Sequence, residues 1–177
     1  MALVVLLRGV NVGGHRTLKP SLLARDLAHL DVVNIGAAGT FVVRTPITQA
    51  RLRAEFARRL PFAAHVMICN GRDILRLVSR DPFMGRPSRP DIVGFVSVLS
   101  KAPRATPSLP LTAPPSGTWM VKLLERDGRL VVGQYRRNMK VLRYLDTPDR
   151  VFGVPSTTRN WSTLKAIAKV LAQPEQA

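Results

Sequence analysis

The residues most suggestive of chemistry form a glycine-rich stretch, LRGVNVGGHRT, at positions 7–17. Gly9 and Gly14 have the spacing of the phosphate-binding loop G-x-x-x-x-G-K-[ST], in which a lysine reaches the terminal phosphates. Here His15 replaces that lysine, and the next helix is predicted to begin only near Pro20, which has no amide to offer an anion. The dinucleotide pattern G-x-G-x-x-G does not fit either, so the sequence argues against a nucleoside triphosphatase.

Two interpretations of this glycine loop stay open. In the first, the loop holds a small anion, and its candidate ligand-binding residues are Arg8, Asn11, Gly13, Gly14 and His15. In the second, the loop is a tight turn by which the first strand leaves its sheet, and one or two glycines are needed because they adopt positive φ without strain.

A second polar cluster lies in PSTTRNWSTLKAIAKVL, positions 155–171. Apolar spacing predicts a helix, and a hydroxyl group from residues 156–158 is expected to cap it, for about 1 kcal/mol of stabilisation. Arg159 and Asn160 fall in the predicted first turn, where the helix dipole disfavours a cation that lacks an anionic partner. That partner is either a carboxylate of the protein or a bound anion. In the second case Arg159 and Asn160 are candidate ligand-binding residues.

The two clusters together resemble the signatures of a bacterial family known as a domain of unknown function. Its members open with LRGINVGG, similar to LRGVNVGG here, and close with a T-x-RNWNT-like helix, similar to TTRNWST. The resemblance implies two ferredoxin-like subdomains, and it implies no activity, substrate or cofactor. The positions that it marks are Arg8, Gly9, Asn11, Gly13, Gly14, Thr158, Arg159, Asn160, Trp161 and Thr163.

The elements that must position these residues follow from apolar patterning. Up to about residue 69 the pattern predicts the order β-α-β-β-α-β, which is typical of a ferredoxin-like unit. The second half reads as a strand, a proline-rich excursion at 102–117 in place of a helix, a hairpin turning at Asp127-Gly128, a helix in RRNMKVLRYLD and the C-terminal helix. We therefore predict an α+β fold of two ferredoxin-like (βαββαβ-type) subdomains, the second irregular, with domains at 1–80 and 91–177.

The composition is strongly basic. The 27 Lys and Arg residues outnumber the 11 Asp and Glu residues, for a formal net charge of +16. Such a surplus attracts polyanions, nucleic acid first among them, although an even spread of arginine is also compatible with a compositional bias. The candidate nucleic-acid-facing residues recur every four positions on one face of a predicted helix: Arg72, Arg76 and Arg80. The alternative interpretation is that this face is simply exposed to solvent.

Other function classes receive little support. The first strand has no aromatic residue, and Phe41 and Phe95 alone are a poor supply for base stacking of the RNA-recognition type. The three histidines lack metal-ligand spacing, and no acid–base pair or nucleophile motif stands out, so we expect neither a metal nor a cofactor and leave catalysis open. With Cys69 as the single cysteine and no apolar run near the ~20 residues of a spanning helix, we expect a cytoplasmic protein without a membrane partner.

These observations favour a basic anion-binding protein, with nucleic acid as the first partner to test. The alternative is an enzyme or binder for a small phosphorylated or carboxylate metabolite, held in a cleft between the glycine loop and the C-terminal helix. A scaffold that contacts another protein through the proline-rich excursion is a third hypothesis. Neither the ligand nor the oligomeric state follows from the sequence.

Overall fold

The computed structural model describes residues 1–173, which form two compact units. Within these residues the first unit comprises 1–80 and 162–173, and the second comprises 81–161. Both units combine an antiparallel sheet with helices, so the predicted α+β class is confirmed. In the structure the C-terminal helix contributes mostly to the first unit. The sequence-based boundaries at 1–80 and 91–177 stay a prediction.

The first unit follows the predicted β-α-β-β-α-β order. Its elements are β1 (Leu3–Arg8), α1 (Pro20–Asp26), β2 (Val32–Ile35), β3 (Thr40–Val43), α2 (Gln49–Arg59), β4 (His65–Asn70), α3 (Gly71–Arg80) and most of α5 (Trp161–Leu171). The strands are ordered β2-β3-β1-β4, and every neighbouring pair is antiparallel. This is the strand order that a split βαβ unit produces.

Both faces of β1 are buried, which explains its unbroken run of Val and Leu. Leu3, Val5 and Leu7 belong to a core that α1 and α2 cover with Leu23, Leu52 and Phe56, joined by Leu27 just after α1. The rings of Phe41 and Phe56 meet edge to face in that core, with centroids 5.2 Å apart. Phe41 is therefore a core residue and is closed to a ligand.

The second unit repeats the strand order of the first. Its elements are β5 (Ile92–Leu99), β6 (Leu111–Ala113), β7 (Val121–Asp127), β8 (Leu130–Arg136), a 3-10 helix (Met139–Tyr144), α4 (Thr147–Phe152) and β9 (Ser156–Asn160). The sheet is ordered β6-β7-β8-β5-β9. Without the edge strand β6, this matches β2-β3-β1-β4, and the proline-rich excursion occupies the place of the first helix, as expected.

Several predicted details of the second unit need correction. The hairpin turns at Gly128-Arg129, one residue later than predicted, because Asp127 already pairs with Leu130. The helix predicted in RRNMKVLRYLD is a 3-10 helix, whose start is capped by Asn138 Oδ1 accepting from the Lys140 amide at 2.9 Å. Strand β6, within the excursion, and helix α4 were not predicted.

The largest correction concerns residues 156–160, which were predicted to lead into and begin the C-terminal helix. They form strand β9, and α5 begins at Trp161. The β-branched pair Thr157 and Thr158 favours extended backbone, and β9 pairs with β5 along its whole length. Arg159 is therefore not in a helical first turn, and no hydroxyl of residues 156–158 caps a helix.

Candidate functional site

The glycine loop is a short hairpin turn in the first unit. Val12 and His15 form an isolated antiparallel bridge, and the His15 amide donates to the Val12 carbonyl at 3.2 Å. Between them Gly13 and Gly14 have φ values of 59° and 74°. Positive φ at both central residues is the requirement of a type I′ turn, so backbone geometry alone accounts for this glycine pair.

Asn11 uses its whole amide group inside the first unit. Its Oδ1 accepts from the Leu18 amide at 2.7 Å, and its Nδ2 donates to the carbonyls of Leu18 at 2.9 Å and of Ala37 at 2.7 Å. These bonds join the glycine loop to the start of α1 and to the β2–β3 turn. Asn11 therefore positions the loop and leaves little hydrogen-bonding capacity for a ligand.

The remaining loop candidates differ in exposure. Arg8 is half-buried at the end of β1 and lies opposite His65 of β4, whereas His15 is exposed at the end of the turn. The structure thus places all five candidates from the glycine loop in one segment of the first unit.

Arg159 and Asn160 lie on opposite faces of β9, because successive strand residues alternate. Arg159 is buried, and its Nη1 donates to Thr157 Oγ1 and to the Thr158 carbonyl, both at 2.9 Å. Burial lowers the pKa of Arg159 to about 10, so the guanidinium is still protonated at neutral pH. Asn11 and Arg159 thus each form hydrogen bonds within their own unit. A small-anion site that uses both the glycine loop and Arg159 stays a prediction.

Asn160 lies at a cavity of about 230 Å³ in the second unit. We call this cavity the apolar pocket; its lining residues are Phe95, Val121, Tyr135, Leu145, Pro148, Thr158 and Asn160. Phe95 and Tyr135 lie on neighbouring strands with ring centroids 6.1 Å apart, and the Tyr135 hydroxyl donates to Asn160 Oδ1 at 3.3 Å. Sequence reasoning found Asn160 and missed its partners because it placed this residue on a helix.

A second cavity in the same unit, of about 460 Å³, is bordered by cations. We call it the basic cleft; its lining residues are Pro114, Thr118, Met120, Met139, Lys140, Arg143 and Tyr144. Within residues 1–173 the side chains of Lys140 and Arg143 form no ion pair. The sequence carried a signal for this cleft, since residues 136–145 contain three Arg and one Lys and no carboxylate.

Arg136, the first residue of this segment, and Lys122 stack on one indole ring. Lys122 Nζ lies 5.0 Å and the Arg136 guanidinium 4.3 Å from the centre of the Trp119 ring. Arg136 also donates to the Trp119 carbonyl at 2.9 Å and to Asp91 at 3.3 Å. Hydrogen bonding from Arg89, followed by the charges of Arg89 and Arg136, holds the pKa of Asp91 below its usual value.

The predicted arginine stripe lies on α3. Arg72, Arg76 and Arg80 are exposed there, opposite the buried Ile74 and Leu77. Arg76 lies 3.3 Å from Asp73, so one of the three charges is partly neutralised. The stripe is a basic surface, and none of its three arginines lines the basic cleft or the apolar pocket.

Two negative findings concern residues 1–173. Within them, no three His, Cys, Asp or Glu side chains are grouped as metal ligands. In the same range, no helix has the length and hydropathy needed to cross a membrane.

Comparison with known proteins identifies a family of unknown function. The chain resembles a solved structure described as conserved bacterial protein SP0830 from Streptococcus pneumoniae, with a TM-score of 0.62 and 17% identity over 96% of this chain and 98% of that one. At this identity the likeness concerns the fold alone. A search of curated proteins gave no match. The model of the family described as "Protein of unknown function (DUF1697)" matches residues 1–126, and the chain therefore belongs to that family.

Proposed function

We propose that this protein binds a polyanion, with single-stranded nucleic acid as the preferred class, at the basic cleft of its second unit. The observation that carries the proposal is the pair Lys140 and Arg143, which border a cleft of about 460 Å³ without a carboxylate partner in residues 1–173. Cations that a fold leaves unpaired beside a concave surface are available to an anionic ligand.

The helix type supports this proposal. In a 3-10 helix, side chains three residues apart lie above one another, with about 6 Å of rise between them. Lys140 and Arg143 therefore project as one short row, which suits a chain of phosphates better than one isolated anion. Tyr144 also lines the cleft and offers a ring beside this row, and basic grooves with aromatic side chains are typical of single-strand binding.

The charge of the whole chain supports the same class of ligand. A net charge of +16 raises the local concentration of polyanions and accelerates their association. This effect does not depend on position, so the α3 stripe is a competing surface for the same ligand. The test must therefore separate a local site from total charge.

A pair of double variants makes this separation. Lys140→Gln with Arg143→Gln and Arg72→Gln with Arg76→Gln each remove two positive charges, the first at the basic cleft and the second from the α3 stripe. Fluorescence anisotropy with a labelled single-stranded oligonucleotide gives the affinity over a series of salt concentrations. We expect the cleft variant to bind more weakly, with the slope of log K against log salt reduced by about 0.7 for each phosphate that the cleft no longer neutralises.

The matched α3 variant is expected to bind almost as the wild type does. Equal weakening in both variants would show that total charge binds the oligonucleotide and would overturn the cleft proposal. A greater loss in the α3 variant would assign the site to the stripe. An affinity that does not change with salt would exclude a phosphate-based interaction altogether.

A further inference from the structure

We infer that the apolar pocket of the second unit receives one unpaired nucleobase of the polyanion whose phosphates the basic cleft binds. The inference rests on the proposed function and adds a second component to it, recognition of a base in place of backbone charge alone. It assigns a ligand-binding role to Tyr135, Phe95 and Asn160 together.

The form of the pocket suits a planar ring. Phe95 and Pro148 are buried at its floor, Tyr135 is half-buried, and Leu145, Thr158 and Asn160 are exposed at its mouth. The volume of about 230 Å³ is below the ~300–1,000 Å³ of most small-molecule pockets, which suits a single ring system. Aromatic walls with a few polar groups are how proteins hold unstacked bases.

Polar groups at the mouth offer a hydrogen-bonding edge. Asn160 Oδ1 accepts from the Tyr135 hydroxyl, while Asn160 Nδ2 donates to no atom of residues 1–173. The Thr158 hydroxyl shares a hydrogen bond of 2.5 Å with Ser97, which fixes its position beside Asn160. The Asn160 Nδ2 group is thus available to an acceptor on a guest, and the edge of a base supplies one.

The pocket and the cleft are neighbours along the chain. Tyr144 lines the basic cleft, and the next residue, Leu145, lines the apolar pocket. Likewise Met120 lines the cleft, and Val121 lines the pocket. Each pair consists of consecutive residues, whose Cα atoms are about 3.8 Å apart, so the linings of the two cavities come from adjoining parts of the chain. In this inference one nucleotide presents its phosphate to Lys140 and Arg143 while its base enters the pocket.

The test compares two oligonucleotides that have the same phosphate backbone. One carries bases, and the other consists of abasic residues, so both have equal charge. We expect the wild type to bind the base-bearing strand about tenfold more tightly, as stacking of one base predicts. Asn160→Ala is expected to bring this ratio towards one, and Tyr135→Phe, which retains the ring, to lower it by less.

Lys140→Gln is the complementary variant, because it is expected to weaken both strands while leaving their ratio unchanged. If the wild type binds both strands equally, the base pocket is wrong while polyanion binding stands. If it binds neither strand, the proposed function itself fails. A ratio that stays near tenfold in Asn160→Ala, with circular dichroism showing a folded protein, would remove Asn160 from base recognition and overturn the inference in this form.

Discussion

Asn11 illustrates, at the scale of one residue, how a polar group in a glycine-rich loop can serve the fold. Its φ of 56° lies in the left-handed region, which asparagine tolerates better than most residues. From that conformation its amide reaches the backbone of Leu18 and of Ala37, 7 and 26 residues away. The side chain therefore joins three segments of the first unit.

We predict that Asn11→Gly lowers the free energy of unfolding by about 1–2 kcal/mol, because the left-handed backbone is kept while three hydrogen bonds are removed. Asn11→Asp is expected to cost more, since a carboxylate oxygen would then face two carbonyl oxygens. Urea denaturation measures both changes. Arg16→Gly is the matched control, because Arg16 has a φ of 50° in the same loop and makes no side-chain hydrogen bond in residues 1–173.

Arg16→Gly is expected to be neutral or slightly stabilising, since glycine relieves the positive φ of a bulky residue. If Asn11→Gly behaves like this control, the hydrogen bonds of Asn11 contribute nothing to stability, and a ligand-binding role for Asn11 becomes the better explanation.

Residue types predicted the glycine turn better than they predicted the C-terminal cluster. Gly13-Gly14 has a mechanism that can be read locally, because adjacent glycines accept positive φ. The local sequence could not predict in the same way which way the side chains of Arg159 and Asn160 point. A helix would place them on adjoining parts of one surface, whereas a strand places one inside and the other at a cavity. Only the pairing of β9 with β5, which are distant in sequence, decides between these outcomes.

At the scale of elements, the β2–β3 turn is held against the glycine loop by a close approach at Gly39. A Cβ atom at this position would lie 2.8 Å from Val10 Cγ2 and 2.9 Å from Leu7 Cβ, both of them in buried side chains. At the other end of the same turn, Gly36 has a similar positive φ of 67° with nothing within 4 Å of such an atom. One turn thus contains two glycines that differ only in their surroundings.

We predict that Gly36→Ala and Gly39→Ala share a cost of about 1–2 kcal/mol from positive φ. Gly39→Ala is expected to lose a further ~1–3 kcal/mol, because Leu7 and Val10 must move to admit the methyl group. The difference between the urea midpoints of the two variants measures this steric part. Equal destabilisation would mean that the turn is not packed tightly against the loop in solution.

The same scale explains which elements the sequence predicted. Strands and hairpins with clear apolar runs, such as β1, β5 and β7–β8, were predicted from local patterning. The row formed by Lys140 and Arg143 was not, because residues three apart lie directly above one another in a 3-10 helix, whereas an α-helix turns them out of line. The apolar pocket was missed for a similar reason, since Phe95, Tyr135 and Asn160 come together only through the strand order of the second sheet.

At the scale of the whole molecule, the surplus of cations acts on stability as well as on binding. Positive charges outnumber negative ones by 16, and such an imbalance destabilises a compact chain through self-repulsion. Local pairs counteract it in places. Glu55, for example, lies beside Arg58 and Arg59, and its pKa is lowered because hydrogen bonding and charge from these arginines outweigh the opposing effect of burial. With only 11 carboxylates in the chain, such pairs cannot balance the repulsion.

We therefore predict that the melting temperature rises as NaCl increases from about 0.01 M to about 0.15 M, because the Debye length falls from about 30 Å to about 8 Å and screens the repulsion. The two double variants, at the basic cleft and on the α3 stripe, each lower the net charge from +16 to +14. At low salt both are expected to melt at slightly higher temperatures than the wild type, the α3 variant by less because it also loses the Arg76–Asp73 ion pair, and this gain should vanish at high salt. At low salt, where the Debye length is long, self-repulsion depends mainly on the total charge, whereas oligonucleotide binding at the cleft depends on the position of the charge. A melting temperature that falls with NaCl would mean that ion pairs such as those of Glu55 outweigh the repulsion.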